Sequence, residues 1–122
     1  MKVILSTMVL IFLTAGCCHL AKSPGQAVAS ENNFENGVKQ YEKGHIRQAI
    51  HEFEKAIEKD PANYRAYFYL GLCYKSDGIM GIALTFFQKA IDLNSGDEAW
   101  VARVKAEMET PEGHGKGKGK DK

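Results

Sequence analysis

The sequence repeats itself at a fixed step of 34 residues through its central part. Repetition at this period is typical of a solenoid of helix pairs, in which each unit buries its apolar face only against its neighbours. Surfaces of this kind usually bind other molecules and do not catalyse reactions. The matched positions are Phe34/Phe68, Gly37/Gly71, Gly44/Gly78, Ala49/Ala83, Phe53/Phe87, Lys55/Lys89, Ala56/Ala90 and Ile57/Ile91.

The apolar pattern between the two ends of the chain is helical. In the second predicted helix, for example, Ile46, Ile50 and Phe53 fall on one face at spacings of three and four. Asp60-Pro61 ends that helix, because proline disfavours a helical residue before it. The sequence therefore predicts an all-α domain over about 31–110, with helices at about 31–43, 46–59, 64–76, 80–93 and 97–109.

These positions resemble the tetratricopeptide repeat. The second unit carries the family pattern at Tyr67, Leu70, Gly71, Tyr74, Gly78, Ala83, Phe87 and Ala90, and the first carries it at Gly37, Gly44, Ala49, Phe53, Ala56 and Pro61. The resemblance implies a helix-turn-helix solenoid with repeats at about 30–63 and 64–97 and a capping helix at about 97–109. The first unit departs from the pattern at Asn33, Asn36 and Gln40, which fits a terminal repeat with no neighbour outside it.

The N-terminal residues have the layout of a secretory signal peptide. Met1-Lys2 is a short basic start, and the apolar run from Val3 to Leu13 is too short to span a bilayer, which needs about 20 apolar residues. Residues 13–17, with Gly16 before Cys17, resemble the bacterial lipobox, although Thr14 stands where leucine is commonest. The resemblance implies that residues 1–16 are removed and that Cys17 is acylated. The alternative is an ordinary signal peptide cut after Ala29.

Lipidation would place the protein in a bacterial envelope. The resemblance further implies that residue two of the mature chain sorts the protein: Cys18 is not the aspartate that retains enteric lipoproteins in the inner membrane, so a Gram-negative source would favour the periplasmic face of the outer membrane. We expect residues 17–30 to form a flexible tether, since Pro24-Gly25 is a turn signal with little apolar content around it. Cys73 lies on a helical apolar face and is expected to be a small core residue.

The resemblance also implies a concave groove lined by the first helix of each pair. Its predicted residues are Phe34, Val38, Tyr41, Phe68, Tyr69, Leu72 and Arg103. Some family members grip a terminal carboxylate with a lysine–asparagine clamp. Of the positions in this chain that correspond to that clamp, only Arg103 carries a fitting residue. An exposed aromatic groove marks an interaction site, so the sequence predicts an adaptor that binds an apolar helix or extended segment of an envelope protein. The alternative is a homo-oligomer, in which a second copy fills the groove.

No arrangement of catalytic residues stands out, so the sequence does not indicate an enzyme. His45 and His51 are six residues apart and do not share a helix face as metal ligands would, and the adjacent Cys17, Cys18 and His19 cannot wrap one ion well. We expect no metal or other cofactor beyond a lipid on Cys17. The formal net charge of +1 gives no reason to expect nucleic acid binding.

Residues 111–122 alternate glycine and lysine over much of their length and cannot fold alone. The sequence favours a disordered, solubilising tail, and contact of its four lysines with anionic lipid, peptidoglycan or nucleic acid is the alternative.

Overall fold

The computed structural model describes residues 23–110, which form five α-helices. They are α1 (Pro24–Glu42), α2 (Ile46–Lys59), α3 (Tyr64–Ser76), α4 (Met80–Leu93) and α5 (Glu98–Glu109). Within these residues 82% are helical and none is in a strand, which confirms the predicted all-α helical repeat. Helices α1 and α2 form one antiparallel pair, α3 and α4 form the next, and α5 packs on α4.

Glycines make the two turns inside the pairs. Gly44 and Gly78 have φ values of 78° and 75°, in the left-handed region that side chains with a Cβ rarely adopt. Polar caps begin the helices that follow the two longer connections. The side chain of Asn63 accepts a hydrogen bond from the amide of Ala66, and that of Asp97 accepts one from the amide of Trp100.

Helix α1 begins at Pro24, earlier than the predicted start near residue 31, so residues 24–30 of the predicted tether are helical. Proline suits a first helical position, because its φ is preset and its missing amide hydrogen would have no partner there. Hydrogen bonds of Ser30 hold these extra turns against the rest of the domain. Ser30 is buried, and its Oγ donates to the carbonyl oxygen of Ala56 at 2.9 Å while accepting from Asn63 Nδ2 at 3.3 Å. Residues 17–22 of the tether, like Cys17 and the signal sequence, lie outside the described residues.

Each helix pair is closed by a phenylalanine ring that lies against a glycine. Phe53 and Phe87 are fully buried, and the ring of each lies directly over the backbone of Gly37 or Gly71. A methyl group at either glycine would come within 2.5 Å of a ring carbon. The small residues at these positions therefore set the distance between the paired helices.

The outer edge of the first repeat is polar where the second repeat is apolar. A shallow groove between α1 and α2 is lined by Asn36, Gln40, Arg47, Gln48, His51 and Glu52. One repeat later, the positions of Asn36, Gln40 and Glu52 are occupied by Leu70, Tyr74 and Phe86, which pack against the first repeat. The first repeat has no neighbour on this edge within the described residues, and its polar side chains suit contact with water.

A buried lysine fastens the last helix to the second repeat. The Nζ atom of Lys75 donates to the carbonyl oxygen of Glu107 at 2.8 Å, to Glu107 Oε2 at 3.0 Å and to Thr110 Oγ1. A positive charge is favourable here, because the end of α5 carries unpaired carbonyl groups and the negative end of the helix dipole.

Replacing Lys75 with methionine should free the end of α5. The variant keeps the aliphatic stem and loses three hydrogen bonds from a charged donor, a kind that contributes roughly 1.5–3 kcal/mol net per bond. We expect faster amide hydrogen exchange over the last turn of α5 and little change in α1. Lys39→Met, at an exposed position of α1, is the matched control. Equal exchange at the end of α5 in both variants would contradict this role of Lys75.

Candidate functional site

One face of the domain is made by α1, α3 and α5, the first helices of successive units. Side chains join these helices directly: Arg65 on α3 forms an ion pair with Glu31 on α1 at 2.7 Å, and Lys75 on α3 reaches Glu107 on α5. The predicted groove residues Phe34, Val38, Tyr41, Phe68, Tyr69, Leu72 and Arg103 all belong to these three helices. We call this surface the concave face.

The structure corrects the prediction of an exposed aromatic groove. Phe34 and Phe68 are only 6% and 3% exposed. Each lies beneath an arginine, with Arg65 Cζ 4.2 Å from the centre of the Phe34 ring and Arg103 Cζ 5.5 Å from that of Phe68. Both rings therefore belong to the core, and the partner-facing groups above them are guanidinium groups.

Tyr69 is the centre of the aromatic cluster beneath the concave face. Its ring centre lies 5.3 Å from that of Phe53, 5.5 Å from Phe34, and 5.8 Å from both Tyr41 and Phe68. The edge-on geometry with Phe34, Tyr41 and Phe68 is the favourable arrangement for aromatic pairs. Tyr69 is therefore mainly a packing residue that joins the first repeat to the second.

The solvent-facing part of the concave face is mixed in chemistry. Val38, Tyr41 and Leu72 are half-buried along its floor, and the α5 side offers the small exposed residues Ala99, Ala102 and Ala106. Charged groups stand above this floor. Glu31 neutralises Arg65, whereas Arg103 forms no ion pair within residues 23–110. Arg103 is thus a cation that is available to a carboxylate or to carbonyl oxygens of a bound chain.

The resemblance also placed Arg65 on the groove, but the prediction of an apolar, aromatic groove gave it no role. The signal was present, because Glu31 and Arg65 are one repeat length apart and occupy corresponding positions of adjacent units. Nothing in the periodicity, however, indicated that the guanidinium would cover Phe34.

Tyr41 closes the concave face near the ends of α1 and α3. Burial raises the pKa of its hydroxyl above the usual 10.0, and a hydrogen bond with Ser76 partly offsets that rise. The negative charge of Glu107 on α5 acts in the same direction as burial, which places the ends of all three helices within electrostatic range. Tyr41 therefore stays neutral and presents a hydroxyl, not an anion.

Cys73 is buried and free, as expected of a core residue, and burial raises the pKa of its thiol from 9.0 to about 12. The same direction holds for Tyr41 and Tyr67, whose pKa values burial raises above 10.0.

Stability should therefore fall as pH rises from 9.0 towards about 12. In that window the unfolded thiol ionises while the folded thiol keeps its proton, so ionisation lowers the free energy of the unfolded state relative to that of the folded state. Urea unfolding across this range measures the fall. Cys73→Ala should reduce its slope, with the two tyrosines accounting for the remainder. An unchanged slope in Cys73→Ala would contradict the assignment.

Within residues 23–110 no group of three His, Cys, Asp or Glu side chains is arranged to hold a metal ion. His45 Nδ1 lies 2.9 Å from Gln40 Oε1, which gives this ring a local partner at the turn. The cysteines and histidine at positions 17–19 are outside the described residues. Across the same described helices, none is both long and apolar enough to cross a membrane.

Comparison with known proteins adds one finding. A family model described as tetratricopeptide repeat matches residues 34–98, which is more than half of the chain and takes in the second half of α1 and all of α2, α3 and α4. A search of curated proteins found no match.

Proposed function

The chain belongs to the tetratricopeptide repeat family, and from this premise we propose that it is an envelope adaptor that holds a segment of a partner protein on its concave face. Repeats of this family generally mediate protein–protein interaction and are generally not catalytic.

The observation that carries the proposal is the pair of guanidinium groups stacked on buried rings. Arg65 over Phe34 and Arg103 over Phe68 are held by the aromatic faces beneath them, so little side-chain entropy is lost when they bind. Beyond Phe68 on α3, Leu72 offers a half-buried apolar contact. This surface suits an extended or helical segment that places apolar side chains on the floor and a carboxylate or backbone carbonyls against Arg103.

The envelope location rests on the N-terminal residues. The resemblance of residues 13–17 to a lipobox supports acylation of Cys17 and attachment to a membrane, on the periplasmic face of the outer membrane if the source is Gram-negative. The alternative cut after Ala29 is disfavoured by the helix, because it would remove the first turns of α1 just before the buried Ser30. Palmitate labelling of the protein and of Cys17→Ala tests this point. Label retained by Cys17→Ala would refute acylation at Cys17.

Self-association is the second candidate. The outer edge of the first repeat is polar, and α5 carries Lys105 at the position that corresponds to Gly37 and Gly71, where a further helix would have to pack closely. These features disfavour end-to-end stacking of copies into a longer solenoid. A copy that fills the concave face of another remains the competing form of association.

Photo-crosslinking from Ala102 in living cells tests the proposal. Ala102 is exposed on the α5 side of the concave face, so a bulky crosslinker there leaves the core intact. The matched control is the same crosslinker at Glu54, which is exposed on α2 on the opposite side. We expect one envelope protein to be captured from position 102 and not from 54, with the yield reduced in Arg103→Ala. An adduct of the protein with itself would favour self-association, and equal capture from both positions would refute the concave site.

A further inference from the structure

We propose that residues 111–122 of this chain occupy its own concave face, along α1, when no partner is bound. The occupant is suggested by where the described chain stops. Thr110 is hydrogen-bonded to Lys75 beside Glu107, so the next residues leave the domain at the rim of the concave face. The inference concerns the free protein and does not depend on which partner binds.

The charges on α1 complement this segment. Glu31, Glu35 and Glu42 are exposed on α1 at spacings of four and seven residues, so they follow one stripe of the helix, with the half-buried Val38 between them. Glu31 is engaged by Arg65, while Glu35 and Glu42 have no ion pair within the described part of the chain. The facing cation of the concave surface, Arg103, lies on α5, so a segment that crosses to α1 moves away from it.

The segment has the corresponding pattern of lysines. In an extended chain alternate side chains point to the same side, about 6.6 Å apart. All four lysines are at alternate positions and would form one row, and glycines between the first three let the backbone approach the helix closely. Carboxylates four residues apart on a helix are separated by about 6 Å along its axis, which is close to the spacing of that row. The lysines are Lys116, Lys118, Lys120 and Lys122.

The length of the segment also fits the distance that it must cross. Packed helix axes lie about 8–10 Å apart, so the distance from α5 across α3 to α1 is about 20 Å. The six residues from Thr110 to Lys116 span about 20 Å when extended. The lysine row then covers about 20 Å, against about 16 Å of helix between Glu42 and Glu31. The first lysine therefore reaches α1 near Glu42, and the row ends near Glu31.

Zero-length carbodiimide crosslinking of the full chain, purified in detergent and without partner, tests the proposal. The reagent joins a lysine amine only to a carboxylate that touches it. We expect peptide mapping to find the tail lysines joined to Glu35 and Glu42. These links should fall about tenfold at about 1 M salt, where the screening length is about 3 Å. Mixing light and heavy-isotope protein distinguishes links within one chain from links between chains.

Two pairs of variants distinguish contact with α1 from general attraction between opposite charges. Glu35→Gln with Glu42→Gln should abolish the links, whereas Glu54→Gln with Glu58→Gln, which removes the same charge from exposed positions of α2, should leave them intact. Tail links to Glu54 and Glu58 as frequent as those to Glu35 and Glu42 would overturn the proposal. Links found only between light and heavy chains would also overturn it, in favour of a second copy. Since no partner is present, failure here is distinct from failure of the adaptor proposal.

Discussion

Gly71→Ala is expected to lower the free energy of unfolding by about 1–3 kcal/mol, the range typical of overpacking in a closed core. The new methyl carbon would lie 2.5 Å from Cε1 and 2.6 Å from Cδ1 of Phe87. Phe87 is fully buried between the helices of the second repeat and cannot swing away. The gain in helix propensity of about 1 kcal/mol does not compensate for this overlap.

The chain supplies a matched control for this substitution. Gly81 is also helical, near the start of α4, but a Cβ built there meets nothing within 4 Å. Gly81→Ala should therefore be neutral or slightly stabilising. Urea unfolding followed by circular dichroism compares the two variants. Phe87→Leu in the Gly71→Ala background should restore part of the loss, because it removes the ring edge that the methyl meets. Equal stability of both alanine variants would mean that the glycine contact does not limit helix approach.

Phe53→Ala is expected to cost about 3–5 kcal/mol, as is typical of a large buried aromatic residue. A domain of about 90 residues is stable by about 5–13 kcal/mol, so this loss is a large share of the total. Phe53 is fully buried, and its ring contacts those of Phe34 and Tyr69 with centres 5.8 Å and 5.3 Å apart. Its removal would leave a cavity between the first repeat and α3.

Phe86→Ala is the control variant for Phe53→Ala. Phe86 is half-buried and stacks on Tyr74 with ring centres 5.4 Å apart, but it keeps part of its surface in water. Its replacement should cost less than half as much. Thermal unfolding with calorimetry measures both. If Phe86→Ala were as damaging as Phe53→Ala, the ring between α1 and α2 would not be the main support of the first repeat.

The repeat period was enough to predict the helices, because each unit needs the same residue types at the same contacts. The predicted bounds of α2, α3 and α4 coincide with those of the structure, and the glycines at the turns adopt the conformation that their position indicates. The start of α1 was predicted too late. Its first turns are held through Ser30, whose partners Ala56 and Asn63 are far along the chain, so local pattern could not reveal them.

At the candidate site, too, the sequence predicted some features and missed others. The resemblance to the family placed the right residues on one face, but it did not indicate their exposure. Phe34 became a core residue because Arg65, from the next repeat, closes over it, and Lys75 became a buried anchor because the end of α5 lies within its reach. Both outcomes depend on residues that are more than 30 positions apart.

By itself, the sequence determined the architecture of this protein: helix pairs of 34 residues and the turns between their helices. These features follow from the repeat, since packing within a pair depends only on residue size at fixed helical spacing. Only the tertiary structure decided what the concave face offers to a partner. Solvent exposure there depends on which side chains of neighbouring units meet, and those contacts put arginines on the surface and aromatic rings beneath them.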